Sequence, residues 1–576
     1  MNKQKNVVLQ IGTFLINIIF FSMIITTGLF FLNIAITKIN IILAILCSML
    51  VCYFQGDKNG KTTLITTVCS VLILLVSIVV CIHSFDYTWD GNTYHKTMTG
   101  FLMNGWNPLK MTFYDYADAK FPTCTMLTAT WYDAYPKGSE TFAACIYAIT
   151  GNIESGKCFN FLASIGAGLI SYSFLYEAIS LKKIQASVCA FFFVINPVVI
   201  SQLLTYYIDG FLWQIFLLNM CCLLYLTLYK KESWTSYCYY MLIVSIVIGL
   251  NLKFSSLIYF GIPCMIFFMY WFLKAWKEQK LLDNKIVLFK RFFVLALGVV
   301  LGTCFVGATS YIINIIRHKN PLYTMIGEGS QDLITVQLPP VFQEMNYALR
   351  FVCSLFSKVS NSKALEKVDW KIPFSVHPGE YISAQSFDVR TAGWGIIFSG
   401  IFILSLVVII VALFRNRKKY KEISHVLYLI FAIVLCAIVL IPGLSWARYF
   451  AALFYIPVIA IVYMMLRYNR DRKKICGFMT AVLVILLCIN MIPNMTFIHK
   501  TVTTDYESIV KELEELREAT EDNNVVIGYN SRGRFSGRFF TLSDMKITNY
   551  TFGDVEESQS TQVLFPSYGL VYEIEE

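Results

Sequence analysis

Charge is scarce in this chain: Asp, Glu, Lys and Arg make up 15% of its 576 residues, and residues 62–82 hold none at all. A run of that length without charge can cross a bilayer. Other absences narrow the reading further. There is no internal repeat, low-complexity tract or lipidation motif, so none of these competes to explain the architecture. Most of the 17 cysteines lie inside apolar runs, as Cys221 and Cys222 do, and they form neither a disulfide framework nor a metal-ligand spacing. They read as small hydrophobes. The first apolar run, 7–31, lacks a small-residue cleavage site and is too long for the apolar core of a signal peptide, so it reads as a retained helix.

What the chain has in excess is apolar surface: 57% hydrophobic residues, 16% aromatic, and a mean hydropathy of +0.60. A water-soluble core of this length would not use so much. The expected class is an α-helical polytopic membrane protein. Apolar runs bounded by charge place spans near 7–34, 39–54, 62–82, 157–179, 186–205, 210–228, 236–251, 254–273, 290–316, 393–414, 424–443, 446–466 and 475–493. That makes about 13 transmembrane helices. The run 241–273 would measure about 50 Å as one helix, so it must break, and 251–256 (NLKFSS) is the polar place to do so.

The net charge of +10 invites a nucleic-acid partner, but its distribution argues against one. From 494 to the end there are 7 Lys+Arg and 15 Asp+Glu, so the excess of positive charge belongs to the rest of the chain. It concentrates in short loops. With a cytoplasmic N-terminus, the inside segments hold 24 Lys+Arg, among them Lys3, Lys5, Lys230 and Lys231, whereas the short outside loops hold Lys38, Lys157, Lys253 and Arg448. This is the positive-inside pattern, and an odd number of spans then puts the C-terminus outside. The expected site is a plasma membrane, bacterial by its richness in Ile, Asn and Lys.

The expected division is a transmembrane domain, 1–493, with large outer loops at 83–156 and 317–392, and an extracytoplasmic α/β domain, 494–576. In the first loop, 139–150 is apolar but too short to span, which suggests a re-entrant or surface-lying helix. The tail opens with a capping box, Thr504-x-x-Glu507, ahead of Tyr506, Ile509, Val510, Leu513 and Leu516 at helical spacing. Strands are expected at 525–529 and 569–574, with Arg532, Arg534 and Arg538 between them.

Polar residues that interrupt apolar spans are the informative ones, because lipid makes them costly without a task or a partner. Four places qualify: Asp86 and Asp90 in DYTWDGNTYH (86–95), Asp209 in TYYIDGF, Lys253 in the broken run, and Arg448 in SWARYF. Taken singly, each also fits snorkelling or helix capping, and Phe85, Tyr87, Trp89 and Tyr94 fit an interfacial belt. Together on one face, they suit a substrate whose phosphate is anchored in lipid. Lys253 and Arg448 could hold its negative charge. Phosphate leaves an anomeric carbon without a proton donor, so one general base is enough for transfer. His95 reads as solvated or structural unless it meets the acceptor or a metal; Lys137 and Glu140 precede the short apolar helix and so should lie near the active face. Asp115, Asp118 and Asp133 read as surface charges.

WDGNTYH, YPKGSETF (135–142), INPVVISQLLTYYID, LKFSS, HKNPLY (318–323), DVRTAGWG (388–395) and WARYF stand in an order that resembles the C-type-fold membrane glycosyltransferases. The similarity covers about 83–455 and is nearest the polyprenyl/dolichyl-phosphate-mannose protein mannosyltransferase and aminoarabinose transferase group. The resemblance implies that Asp90 is the catalytic base, that Lys253 and Arg448 hold the donor phosphate, and that the acceptor is a protein, lipid or glycan. The chain departs from the family's Asp-Glu pair, since Gly91 follows Asp90. That leaves Asp86, His95 or Glu140 as second polar partner, and leaves open a divalent cation, Mg or Mn. Rival readings are a transporter or flippase of a lipid-linked sugar and a non-catalytic cell-wall assembly protein, although polar groups here gather on one face instead of at mid-membrane.

Overall fold

Apolar segments in lipid must close their backbone hydrogen bonds internally, and here they become helices. The computed structural model describes residues 7–56, 58–118, 126–228, 232–327, 330, 333–416, 421–528, 537–553, 555 and 570–575. Lys3, Lys5, Lys230, Lys231, Arg417, Lys418, Lys419, Arg532 and Arg534 lie outside them. Among the described residues nine helices are long and apolar enough to cross a membrane: Val7–Phe31, Lys38–Gln55, Gly60–Ile82, Ile153–Ala178, Asp209–Leu228, Ser256–Lys277, Leu281–Thr309, Ala447–Asp471 and Lys474–Glu521. Four expected spans coincide with shorter apolar helices, Lys183–Val194, Trp234–Leu250, Phe398–Phe414 and Ser424–Leu440.

The helix Val7–Phe31 is mostly buried, and its buried polar side chains bind its neighbours. Thr13 shares a 3.0 Å hydrogen bond with the Tyr237 hydroxyl, Tyr240 donates to Asn17 Oδ1 at 2.8 Å, and Asn40 Nδ2 donates to Thr26 Oγ1 at 2.9 Å. Such bonds join helices where lipid offers no hydrophobic drive between them. The helix Gly138–Thr150 also packs on this core and is buried from Gly138 to Tyr147. The run 241–273 breaks where its polar residues stand, helix ending at Leu250 and resuming at Ser256.

The expected span 186–205 is not one helix. Its helix stops at Val194, Ile195 is extended, and Asn196 caps a second short helix, Pro197–Gln202, by accepting from Val199 N at 3.1 Å. Proline at the first turn starts a helix but cannot continue one. The backbone groups freed by the break find side chains instead: Gln214 Nε2 donates to Val194 O at 2.9 Å, Asn160 Nδ2 to Thr205 O at 2.9 Å, and Gln202 Oε1 accepts from Gly210 N at 2.8 Å. Irregular backbone is tolerated at this depth when protein satisfies it.

At the C-terminal end, the last span and the tail helix are continuous. Lys474–Lys500 passes through a π turn, Thr501–Asp505, into Tyr506–Asp522, so the expected boundary at 493/494 falls inside one helix. The capping box at Thr504 does not form, because a helix that already arrives from Lys500 leaves no free amides to cap. Beyond it lies a sheet of order β2-β1-β3, made of β1 (Asn524–Gly528), β2 (Tyr550–Gly553) and β3 (Tyr572–Glu575). β2 runs parallel to β1 and β3 antiparallel. Ile509, Leu513 and Leu516 pack with Val525 and Ile527 to close this small α/β core.

Candidate functional site

Five charged side chains from distant parts of the chain meet at one end of the bundle. Asp90 stands just ahead of a π turn, Gly91–His95, that opens into the helix Lys96–Met103. Asp209 begins the helix Asp209–Leu228, Lys253 occupies the break after Leu250, Asp388 lies in the loop before Phe398, and Arg448 lies in the 3-10 turn Ala447–Phe454. Arg448 Nη1 donates to Asp90 Oδ2 at 2.8 Å and lies 3.7 Å from Asp209 Oδ2. Its Nη2 donates to the Tyr449 hydroxyl at 3.1 Å. Its Nε is 3.5 Å from Asp388 Oδ1, and neither of these buried atoms has a hydrogen-bond partner among the described residues. Lys253 Nζ donates to Asp209 Oδ1 at 2.9 Å and sits 4.0 Å above the Tyr449 ring. Trp446 backs the guanidinium at 4.4 Å and Tyr207 at 5.3 Å.

Three carboxylates therefore face two cations in a partly shielded recess. Burial opposes charge on Asp90, but Arg448, with smaller contributions from neighbouring positive groups such as Lys253, outweighs it and holds the carboxyl below the usual range. Asp388 goes the other way: burial, helped by repulsion from Asp90 and Asp209 and opposed by Arg448, pushes it up to about 6. From Phe450, two residues past Arg448, an apolar cavity of about 180 Å³ extends between helices Asp209–Leu228, Lys421–Leu440 and Tyr455–Asp471. It passes Phe216 and Tyr455 and reaches Leu228 and Leu466. Twelve residues of helix separate Phe216 from Leu228, or about 18 Å.

Of the residues at the four interruptions, Asp90, Asp209, Lys253 and Arg448 meet in this one cluster, while Asp86 is directed elsewhere. It is fully buried, accepting from Thr88 N at 2.8 Å and from Tyr206 N at 2.7 Å, and so ties the first loop to the broken span. The same carboxylate accounts for Gly91: a Cβ there would stand 2.0 Å from Asp86 Oδ2, leaving no room for an acid after Asp90. His95 and Glu140 are buried as a pair with each other, Glu140 also accepting from Ser139 Oγ at 2.9 Å. Lys137 is buried and donates to the carbonyls of Asp133 and Tyr135, both at 2.8 Å; burial lowers its ammonium to about 7. Asp133 is not a free surface charge, since it accepts from Phe113 N at 2.6 Å and lies 3.4 Å from Arg317.

Asp388 was not among the expected site residues. It lies in the DVRTAGWG segment, but in a polar loop, where a carboxylate does not stand out as an interruption. A second buried cluster, with Lys96 Nζ 2.6 Å and Lys157 Nζ 2.7 Å from the two oxygens of Glu154, was also unforeseen. Thr541 of the tail donates to the same Glu154 at 3.2 Å, so this cluster joins the tail to the first loop. Among the described residues no group of three His, Cys, Asp or Glu could hold a metal ion. Asp90, Asp209 and Asp388 converge on a guanidinium instead, and this arrangement does not fit a divalent cation. No model of a known protein family matches the chain, and no curated protein matches it.

Proposed function

We propose that the chain is a membrane glycosyltransferase that moves a sugar from a polyprenyl-phosphate donor to an acceptor hydroxyl of a protein, lipid or glycan, with inversion at the anomeric carbon. The observation that carries this reading is Arg448. It holds Asp90 through one short hydrogen bond, keeps a buried Nε without a hydrogen-bond partner among the described residues, and precedes by two residues Phe450, which lines the apolar cavity. A phosphodiester matches that combination, with one negative charge for the guanidinium fork and Lys253, and a hydrocarbon tail for the cavity. The two cations and the cavity fix donor orientation. The acceptor oxygen bonds to the anomeric carbon as the carbon–oxygen bond to phosphate breaks. Asp90 takes the acceptor's proton, and the polyprenyl phosphate leaves with the bonding electrons and needs no proton.

A phosphate on Arg448 competes with Asp90 for the same guanidinium. Donor binding thus loosens the ion pair that holds Asp90 below the usual carboxylate range, and the base strengthens when there is a reaction to catalyse. The thirteen-span topology, with a cytoplasmic N-terminus and the cluster on the extracytoplasmic side of a plasma membrane, belongs to the same proposal. It rests on the lysine and arginine distribution and on nine long and four shorter apolar helices that overlap the expected spans, Lys183–Val194 covering only the first half of 186–205.

The test is the purified protein in vesicles with a radiolabelled polyprenyl-phosphate hexose and a mixed panel of acceptors. Loss of label from the lipid into an acceptor, abolished in Asp90→Asn, is the expected result. Movement of intact donor across the bilayer without cleavage would make the chain a flippase. Saturable binding with neither cleavage nor movement would leave an assembly protein.

A further inference from the structure

Within the loop 356–383, the segment 370–382 presents apolar side chains where a water-exposed loop would hold polar ones. Trp370 is 55% exposed, Ile372 77%, Val376 51% and Ile382 75%. The loop is pinned, and the pinning directs these residues outward. Lys371 Nζ, buried beneath it, donates to Glu380 Oε1 and to Ile396 O, both at 2.6 Å. Glu380 in turn accepts from Val359 N at 2.8 Å and from His377 N at 2.7 Å. With Lys371 drawn inward, its neighbours Trp370 and Ile372 face out. Lys358 and Asp369 pair at 3.0 Å at the loop's margin.

The position of the loop identifies what covers it. Phe374, in a left-handed conformation at φ +70°, lays its ring over Gly400, where a Cβ would come within 2.5 Å of the ring. Gly400 is the third residue of the helix Phe398–Asn416. That helix has 19 residues, or about 28 Å, barely the roughly 30 Å of a bilayer's hydrocarbon. If it spans, its first turn cannot rise clear of the lipid boundary, and neither can the ring resting on it. At the other edge the Tyr381 hydroxyl bonds to Thr496 Oγ1 at 2.9 Å, beside Ile492 and Met495, which are exposed on the apolar helix Lys474–Lys500. The patch is thus continuous with the apolar flanks of two bundle helices.

We propose that residues 370–382 form an interfacial anchor seated in a lipid leaflet, with Trp370, Ile372, Val376 and Ile382 in the boundary between headgroups and acyl chains. Tryptophan and tyrosine favour that boundary, and a rigid apolar knuckle inserts without first having to order itself. The anchor does not depend on the catalytic chemistry; it rests on burial and on the proposed spanning of the helix Phe398–Asn416.

The experiment uses the full chain in phosphatidylcholine vesicles, with Trp370→Phe subtracted from the parent to isolate the emission of Trp370. The substitution is at an exposed position and leaves the Lys371–Glu380 pair in place. Phosphatidylcholine brominated high on its acyl chains should quench the Trp370 signal at least twofold, with aqueous iodide having less effect. Stronger quenching by iodide than by bromolipid would overturn the proposal and leave the patch open to a protein partner.

Discussion

Asp90 and Asp86 lie four positions apart, yet they predict opposite phenotypes. If Asp90 is the base, Asp90→Asn should lower transfer by about 10² to 10⁴ while donor binding persists, measured as kcat against the dissociation constant of a lipid-phosphate sugar. Asp86→Asn should instead lower stability by about 1 to 3 kcal/mol, because the bond from Tyr206 N inside the protein is weakened; the readout is thermal unfolding in detergent. Arg448→Ala should weaken donor binding by about 1.5 to 3 kcal/mol, with poor rescue by Lys, since a point charge does not replace a planar fork. Asp388 carries a pH dependence. As pH falls through about 6 its carboxylate takes a proton, the recess loses one negative charge, and an anionic phosphate meets less repulsion. The apparent KM for donor should therefore be lower at about pH 5.5 than at about pH 7.5, and Asp388→Asn should remove that difference. The sequence made Asp90, Asp209, Lys253 and Arg448 legible because each interrupts an apolar run. The inward turn of Asp86 was not legible, since it depends on the register of a π turn and on an amide 120 residues away.

Elements were legible where apolar length decided them and obscure where neighbours did. The span expected over 186–205 took no account of Pro197, and the groups that make the break there tolerable, Gln214 and Asn160, come from other helices. Thr504 and Glu507 have the spacing of a cap, and the continuing helix overrode it. β2, four residues long, exists through pairing with β1 and has little pattern of its own. The tail's short helix Gly537–Asp544 is held on the first loop by tertiary fit: Phe540 packs against Phe101 at 5.3 Å, and Asp544 accepts from the Tyr147 hydroxyl and from Ile153 N, both at 2.7 Å. A Cβ at Gly100 would stand 2.2 Å from the Phe540 ring. Gly100→Ala should thus cost about 1 to 3 kcal/mol through overpacking and release the tail to limited proteolysis sooner than in the parent.

On the scale of the molecule, class and helix placement followed from composition, because lipid leaves the backbone few alternatives. Orientation is open to direct measurement. A cysteine replacing the exposed Lys511 on the tail helix should react with an impermeant maleimide on intact cells, and one replacing Lys277 should react only after lysis. The reverse would turn the bundle over and move the charged recess to the cytoplasm. The bond between Arg448 and Asp90 joins residues 358 positions apart. At about 5 to 20 residues per second of synthesis, the aspartate waits roughly 20 to 70 s for its arginine. Through that interval the growing chain holds this acid without its later partner, so chains stalled between the two should be preferred targets for quality control.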